Sequence, residues 1–155
     1  MSLKTDLIFA KALRSNAELM SKLPAKDVYN TTIPVPDEEL DNAPMPYIII
    51  TFDGLTNEDG TKDCSYEGSA DRVQIGIEVV ASSREELAQL TTSIRKTVRE
   101  YFDNIEQSDE DYDLVPYDYT FSAQKVQWDQ YKPAYGQVLN YNCETNIDKY
   151  EQEES

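Results

Sequence analysis

The chain contains no histidine among its 155 residues. That removes Ser-His-Asp and Cys-His nucleophile systems, and with them the usual nitrogen ligand of zinc sites. Glycine is scarce: there are five, isolated at positions 54, 60, 68, 76 and 136. No Gly-x-Gly-x-x-Gly fingerprint or phosphate loop can be built from them. The two cysteines, Cys64 and Cys143, are far apart, and neither has a neighbour at metal-ligand spacing. They read as free thiols in a reducing compartment. No apolar run approaches the roughly 20 residues that span a bilayer. The first residues, Met1-Ser-Leu-Lys-Thr-Asp, lack the apolar core of a signal peptide. The expectation is a chain that is intracellular when made and has no membrane span. Basic residues are also few: 14 Lys plus Arg stand against 30 Asp plus Glu, a net charge of −16. Such a surface repels nucleic acid and anionic membranes at long range.

What is present is organised around residues 71–102. Val73, Ile75, Ile77 and Val79 alternate with polar residues, the period-two pattern of a strand with one buried face. Leu87, Leu90, Ile94, Val98, Tyr101 and Phe102 then recur three or four apart, one stripe of a helix. Between them lie Ser82-x-x-Glu85 and Ser83-x-x-Glu86, and either fits a capping box. A strand therefore feeds a helix with almost no loop, and the helix must fold back on the sheet to bury its stripe.

Around this unit the spacing predicts a helix over 2–21, with Leu3, Leu7, Ile8, Leu13, Ala17 and Met20 near one face and Pro24 as its stop. A short extended piece fits Val28-Tyr29. Pro34, Pro36, Pro44 and Pro46 make the following stretch an ordered arm, because four amide donors are missing from it. Tyr47-Ile-Ile-Ile-Thr-Phe52 reads as a strand, central or covered on both faces. Residues 53–69 are turn-rich and too long for a tight hairpin, which suits a mobile loop or an extension that becomes ordered in an assembly. Tyr119 to Trp128 reads as a strand with Tyr119, Phe121 and Ala123 on one side and Val126 and Trp128 on the other, a change of face that marks a bulge or an edge. A turn at Lys132-Pro133 leads to a last strand, from Tyr135 to Ile147, and a charged tail.

The predicted fold is α+β: a mainly antiparallel four-stranded sheet with two helices packed on one face, in the order α-β-β-α-β-β. Length favours one domain, placed at 1–148, with 149–155 as a charged flexible tail. At this size roughly 70% of the unfolded surface can be buried, so no staple is needed.

Candidate sites are few. Residues 53–63 come nearest to a calcium loop, but aligning Gly60 with the turn glycine of an EF-hand puts Leu55 and Tyr66 at the first and last ligand positions, so the match fails. No catalytic, cofactor or metal residue is assigned, and no cofactor is expected. Arg95, Lys96 and Arg99 cluster late on the second long helix, where the helix dipole is a sufficient reason for cations. Seven carboxylates and no base occupy 103–118, Asp109, Glu110, Asp111 and Asp113 among them. Trp128, Tyr131 and Tyr135 surround the last hairpin turn, where a core role is hard to arrange and an assembly contact is the alternative.

Several motifs recur in one order. They are Phe9-Ala-Lys-Ala-Leu13, Ala43-Pro-Met-Pro-Tyr-Ile-Ile-Ile50, and Asp71-Arg-Val-Gln-Ile-Gly-Ile-Glu-Val-Val-Ala81 with its helix from Ser83. A closing hairpin follows. In order and spacing this resembles the tail-completion (tail-terminator-like) proteins of long-tailed bacteriophages and prophages, over most of residues 3–147. The resemblance implies a structural protein without enzyme activity. It implies a ring of copies of itself, often a hexamer, that caps the tail tube and meets the tail tube protein and the head-neck connector protein. DNA would pass through the ring without sequence-specific binding, and no membrane is involved. It also implies a place in the bacterial cytoplasm during assembly and in the virion tail or neck afterwards. On this reading the acidic 103–118 loop, with Asp109, Glu110, Asp111 and Asp113, lines the pore or faces a basic partner ring. The strong acidity and the longer 53–69 and 103–118 segments depart from the family pattern. Two other classes stay open on the residues alone: a non-enzymatic protein-binding adaptor of bacterial origin, and a carboxylate-dependent hydrolase.

Overall fold

The computed structural model describes residues 4–23, 29–30, 45–56, 71–103, 116–129 and 134–145. The elements are α1 (Thr5–Arg14), α2 (Ala17–Ser21), β1 (Tyr29–Asn30), β2 (Tyr47–Thr56), β3 (Asp71–Ala81), α3 (Arg84–Asp103), β4 (Pro116–Ala123), β5 (Gln127–Asp129) and β6 (Ala134–Thr145). The architecture is α+β. One sheet runs β1-β2-β3-β6-β4, with β5 also paired to β6. All pairs are antiparallel except β1 with β2.

The strand-to-helix unit forms as its pattern requires. Val73, Ile75, Ile77 and Val79 are completely buried, while Arg72, Gln74 and Glu78 are exposed on the opposite face. Arg72 meets Glu144 across the sheet at 3.5 Å, in register on β6. Of the two capping boxes, Ser83 is the cap: its Oγ accepts the Glu86 N–H at 3.1 Å, and Ser83 O takes the Leu87 N–H at 3.0 Å. The Glu86 carboxylate reaches back to the Ser82 N–H at 3.3 Å. Leu87, Leu90, Ile94 and Val98 then bury against the sheet, with α1 beside them. Phe9 of α1 ties the layers together, stacking edge-on with Phe102 at 5.0 Å and tilted against Tyr141 at 5.2 Å.

The α+β class is as expected, but among the described residues the sheet has six strands rather than four, because β1 pairs with β2 and the edge strand is divided into β4 and β5. Strand β4 begins at Pro116, three residues before the expected start at Tyr119. Three further elements differ from expectation. The N-terminal helix is not continuous. Asn16 turns extended and caps α2, its Oδ1 accepting the Leu19 N–H at 2.9 Å, while its amide donates to Thr97 Oγ1 of α3 at 3.1 Å. Ser15 and Asn16 compete with the helical backbone for their own hydrogen bonds, so the helix restarts at a new angle. Strand β2 runs four residues past Phe52, to Thr56, with a register shift between Phe52 and Gly54. The start of the expected loop is therefore strand, and its remainder lies outside the described residues. The expected strand over 119–128 is two strands, with Gln124 to Val126 between them. The proline-rich arm up to residue 44 and the tail over 149–155 also lie outside the described residues.

Candidate functional site

Of the residues singled out from the sequence, Trp128 and Tyr135 are described; Asp109, Glu110, Asp111, Asp113 and Tyr131 lie outside the described residues. Trp128 and Tyr135 are directly opposite one another on β5 and β6, with ring centroids 4.6 Å apart. Tyr135 sits opposite Ala81, which is buried on the helix side of the sheet. Trp128 is therefore on the helix side too, at the rim, and is 53% exposed.

This placement corrects the expected change of face. Phe121 and Trp128 are seven residues apart, while their partners Tyr141 and Tyr135 are six apart. The edge strand carries one extra residue, the count of a β-bulge. The Gln124 N–H donates to Val138 O at 2.9 Å and the Gln137 side-chain amide donates to Gln124 O at 3.0 Å, so the interruption is held against β6. The extra residue shifts the alternation, and Phe121 and Trp128 end on one face.

The sequence cluster Arg95, Lys96, Arg99 is split by helix geometry. At about 100° per residue, Arg95 and Arg99 share a flank and Lys96 turns away. Lys96 pairs with Glu100 at 3.9 Å and lines a polar groove of about 450 Å³ between α2 and α3. Lys22 and Glu18, across that groove, pair at 4.0 Å. Arg95 instead lies 4.5 Å over the ring of Phe121 on β4. Beneath it is an aromatic cluster: Phe121 and Tyr141 at 5.2 Å, Tyr119 and Tyr141 at 6.0 Å, and Phe102 and Tyr119 at 5.9 Å. Among the described residues the buried Tyr141 hydroxyl has no hydrogen-bond partner. Burial pushes its pKa well above the usual tyrosine range, with Tyr119 adding to the rise and Arg95 and Arg99 opposing it. Sequence reasoning did not bring the arginines and the tyrosine cluster together. The only signal was the i, i+4 spacing of Arg95 and Arg99 on the side of the α3 stripe that carries Phe102.

Among the described residues no three Asp, Glu or Cys side chains gather as a metal site. The described cysteine, Cys143, is buried, and burial pushes its thiol up to about 12. A thiol so hard to ionise is a packing group. No helix among the described residues is long and apolar enough to cross a membrane. What the arrangement can do is bind. Among the described residues, a sheet edge without a further strand carries partly exposed aromatics, with two arginines of α3 beside them; such side chains dominate contact energies at protein interfaces.

No family model matches the chain, and no curated protein does. Among solved structures, a chain from the virion of a native gene transfer agent particle superposes with a TM-score of 0.53. The fold is shared with a virion protein. The likeness covers 90% of this chain and 92% of that one, at 9% sequence identity. It is a likeness of the whole fold.

Proposed function

We propose that this protein is a structural component of a phage-like virion, and within it a ring-forming tail terminator or head–tail joining protein that caps the tail tube. One observation carries the reading: the fold is shared end to end with a virion chain, over nine-tenths of both lengths. The ordered motifs in the sequence point to the same role independently. In this reading the partners are further copies of the chain, a tail tube protein and a head-neck connector protein. DNA passes the ring without being read, and a wall with net negative charge would not grip its phosphates. Residues Asp109, Glu110, Asp111 and Asp113 are proposed to face that passage or a basic partner ring. The chain would be made in the bacterial cytoplasm and end in the virion tail or neck.

Light scattering coupled to size exclusion, followed by negative-stain microscopy, tests this. Closed rings of one diameter, with a central opening wide enough for a DNA duplex, are the expected result. A monomer at every concentration, or open filaments, would remove the support for a terminator. A charge reversal of all four acidic residues, Asp109, Glu110, Asp111 and Asp113 to lysine, should leave the ring intact and make it retain DNA. Rings that ignore DNA after the reversal would place those residues away from the passage.

A further inference from the structure

The flank between α3 and the β4–β5 edge combines three features. First, the sheet order ends at β4 and β5, so among the described residues the outward backbone groups of this edge have no strand partner. Such an edge is a template for pairing with another chain. Second, the helix-side face here carries Tyr119 and Phe121 of β4 and Tyr135 of β6, each part-buried, and Trp128 of β5, the one exposed large hydrophobic among the described residues. Along β6 the partners of Phe121 and Trp128 are six residues apart, so this strip is about 20 Å long. That is the length of a strand of about six residues. Third, Arg95 and Arg99 stand one turn apart above the strip, and among the described residues neither is in an ion pair.

The chemistry of these features is complementary. A guanidinium held over an aromatic ring can still offer N–H donors to a carboxylate, and the ring contact has already restricted its rotamers. Binding a carboxylate there therefore costs little further ordering. Two copies of a chain with net charge −16 repel over most of their surface. Approach is favoured where carboxylates of one meet uncompensated cations of the other. The groove between α2 and α3 does not offer this, since Lys96 and Lys22 are already paired.

We propose that the α3 to β4–β5 flank is an intersubunit surface that takes an acidic extended segment of a second copy of this chain. The segment adds a strand to the β4–β5 edge, lays apolar side chains on Trp128 and Tyr135, and places carboxylates on Arg95 and Arg99. The choice of a second copy as occupant rests on the ring reading; the surface itself does not.

Trp128 is the only tryptophan in the chain, so its emission reports this surface without a label. Mass by light scattering and tryptophan emission are measured together against concentration and salt, for the wild type, Trp128→Phe (mass only) and the pair Arg95→Glu with Arg99→Glu. Far-UV circular dichroism checks that each variant is folded. Association should blue-shift the emission and protect Trp128 from acrylamide. The arginine pair should weaken association about 10- to 100-fold, and Trp128→Phe by less. Salt should weaken the wild type more than the arginine variant. If the arginine variant fails to fold, the wild-type emission decides alone.

A rise in mass with unchanged emission would overturn the proposal, as would equal association of wild type and folded arginine variant. In either case a ring seen by microscopy would still stand, with its contacts elsewhere. Dimers rather than rings, lost in the arginine variant, would keep this surface and remove the ring. A wild type that stays monomeric throughout, with Trp128 exposed, would overturn both.

Discussion

At the residue scale, Gly76 is the most closely packed of the described glycines. A Cβ there would stand 2.5 Å from Asp53 Oδ2 and 2.7 Å from Thr51 Oγ1. The two side chains are themselves joined, Thr51 Oγ1 donating to Asp53 Oδ1 at 2.8 Å. Gly76→Ala should therefore cost about 1–3 kcal/mol by overpacking, read from urea denaturation. Adding Asp53→Ala should recover part of the loss; no recovery would mean that Thr51 sets the limit. Glycine at this position was visible in the sequence as a break in an apolar–polar alternation, but the reason for it was not. It depends on which residue of β2 lies opposite, and that is a register. Cys143 gives a second prediction at this scale. Its thiol is held protonated by burial, with a pKa of about 12 against an ordinary 9.0. Below pH 9 the folded and unfolded chains both keep the proton, and the group contributes no pH dependence. Between 9 and 12 only the unfolded chain releases it, so stability falls with rising pH, by at most about 1.4 kcal/mol per unit. Urea midpoints taken at several alkaline pH values should fall more steeply for the wild type than for Cys143→Ala. Equal slopes would mean the thiol ionises in the folded state.

At the element scale, the helix start and the edge strand make opposite demonstrations. The start of α3 was legible to within one residue, because capping chemistry is local: a serine, a glutamate three on, and then an apolar stripe. Ser83→Ala should cost about 1 kcal/mol, while Ser82→Ala should cost less, since Ser82 offers its backbone N–H to Glu86 and keeps it. Equal losses in thermal melts would mean that the two serines share the cap. The break between α1 and α2 was also local, carried by Ser15 and Asn16, yet the apolar spacing on both sides concealed it. The edge strand was less legible. Alternation put Trp128 opposite in sense to Phe121, whereas one extra residue over 124–126 brings them to one face. That extra residue shows only in the partner's count on β6. Deleting the exposed Lys125 should remove the bulge and turn Trp128 to the other face. The near-UV circular dichroism of the Trp128–Tyr135 pair should then be lost with little change in the far-UV signal. A retained near-UV signal would show that the break is absorbed elsewhere.

For the molecule as a whole, protection should follow the layering. Strand β3 is paired on both sides and covered by α1 and α3, and its helix-side residues are completely buried. Its amides should exchange only by global unfolding, together with those of the central part of β6. Strand β1, two residues long, and β5, three residues long and exposed, should exchange by local opening at least about a hundredfold faster. Upon association, the proposal of an intersubunit strand adds a specific change: protection should rise on β4 and β5 and not on β1. Hydrogen exchange followed at low and high protein concentration reads all three. Equal protection of β3 and β5 in the dilute protein would contradict the layering itself.

Residues 71–102 show what the sequence determined by itself. A period of two, a capping box and a period of 3.6 are set by backbone geometry and neighbouring side chains, and these interactions reach no farther than a few residues. They sufficed for a strand, a helix, the face each buries, and so the α+β class. The absence of histidine and of a glycine-rich loop likewise bounded the chemistry without reference to a fold. Tertiary structure decided what depends on partners far apart in the chain. It set the register that places Gly76 against Thr51 and Asp53. It set the residue count that turns Trp128 towards the helices. It also packed α3 over β3 and β6 beside β4, which lays Arg95 on Phe121 and leaves Arg99 one turn along. A binding surface is a sum of such long-range placements, and for that reason the scaffold could be read from the sequence while the surface had to be seen.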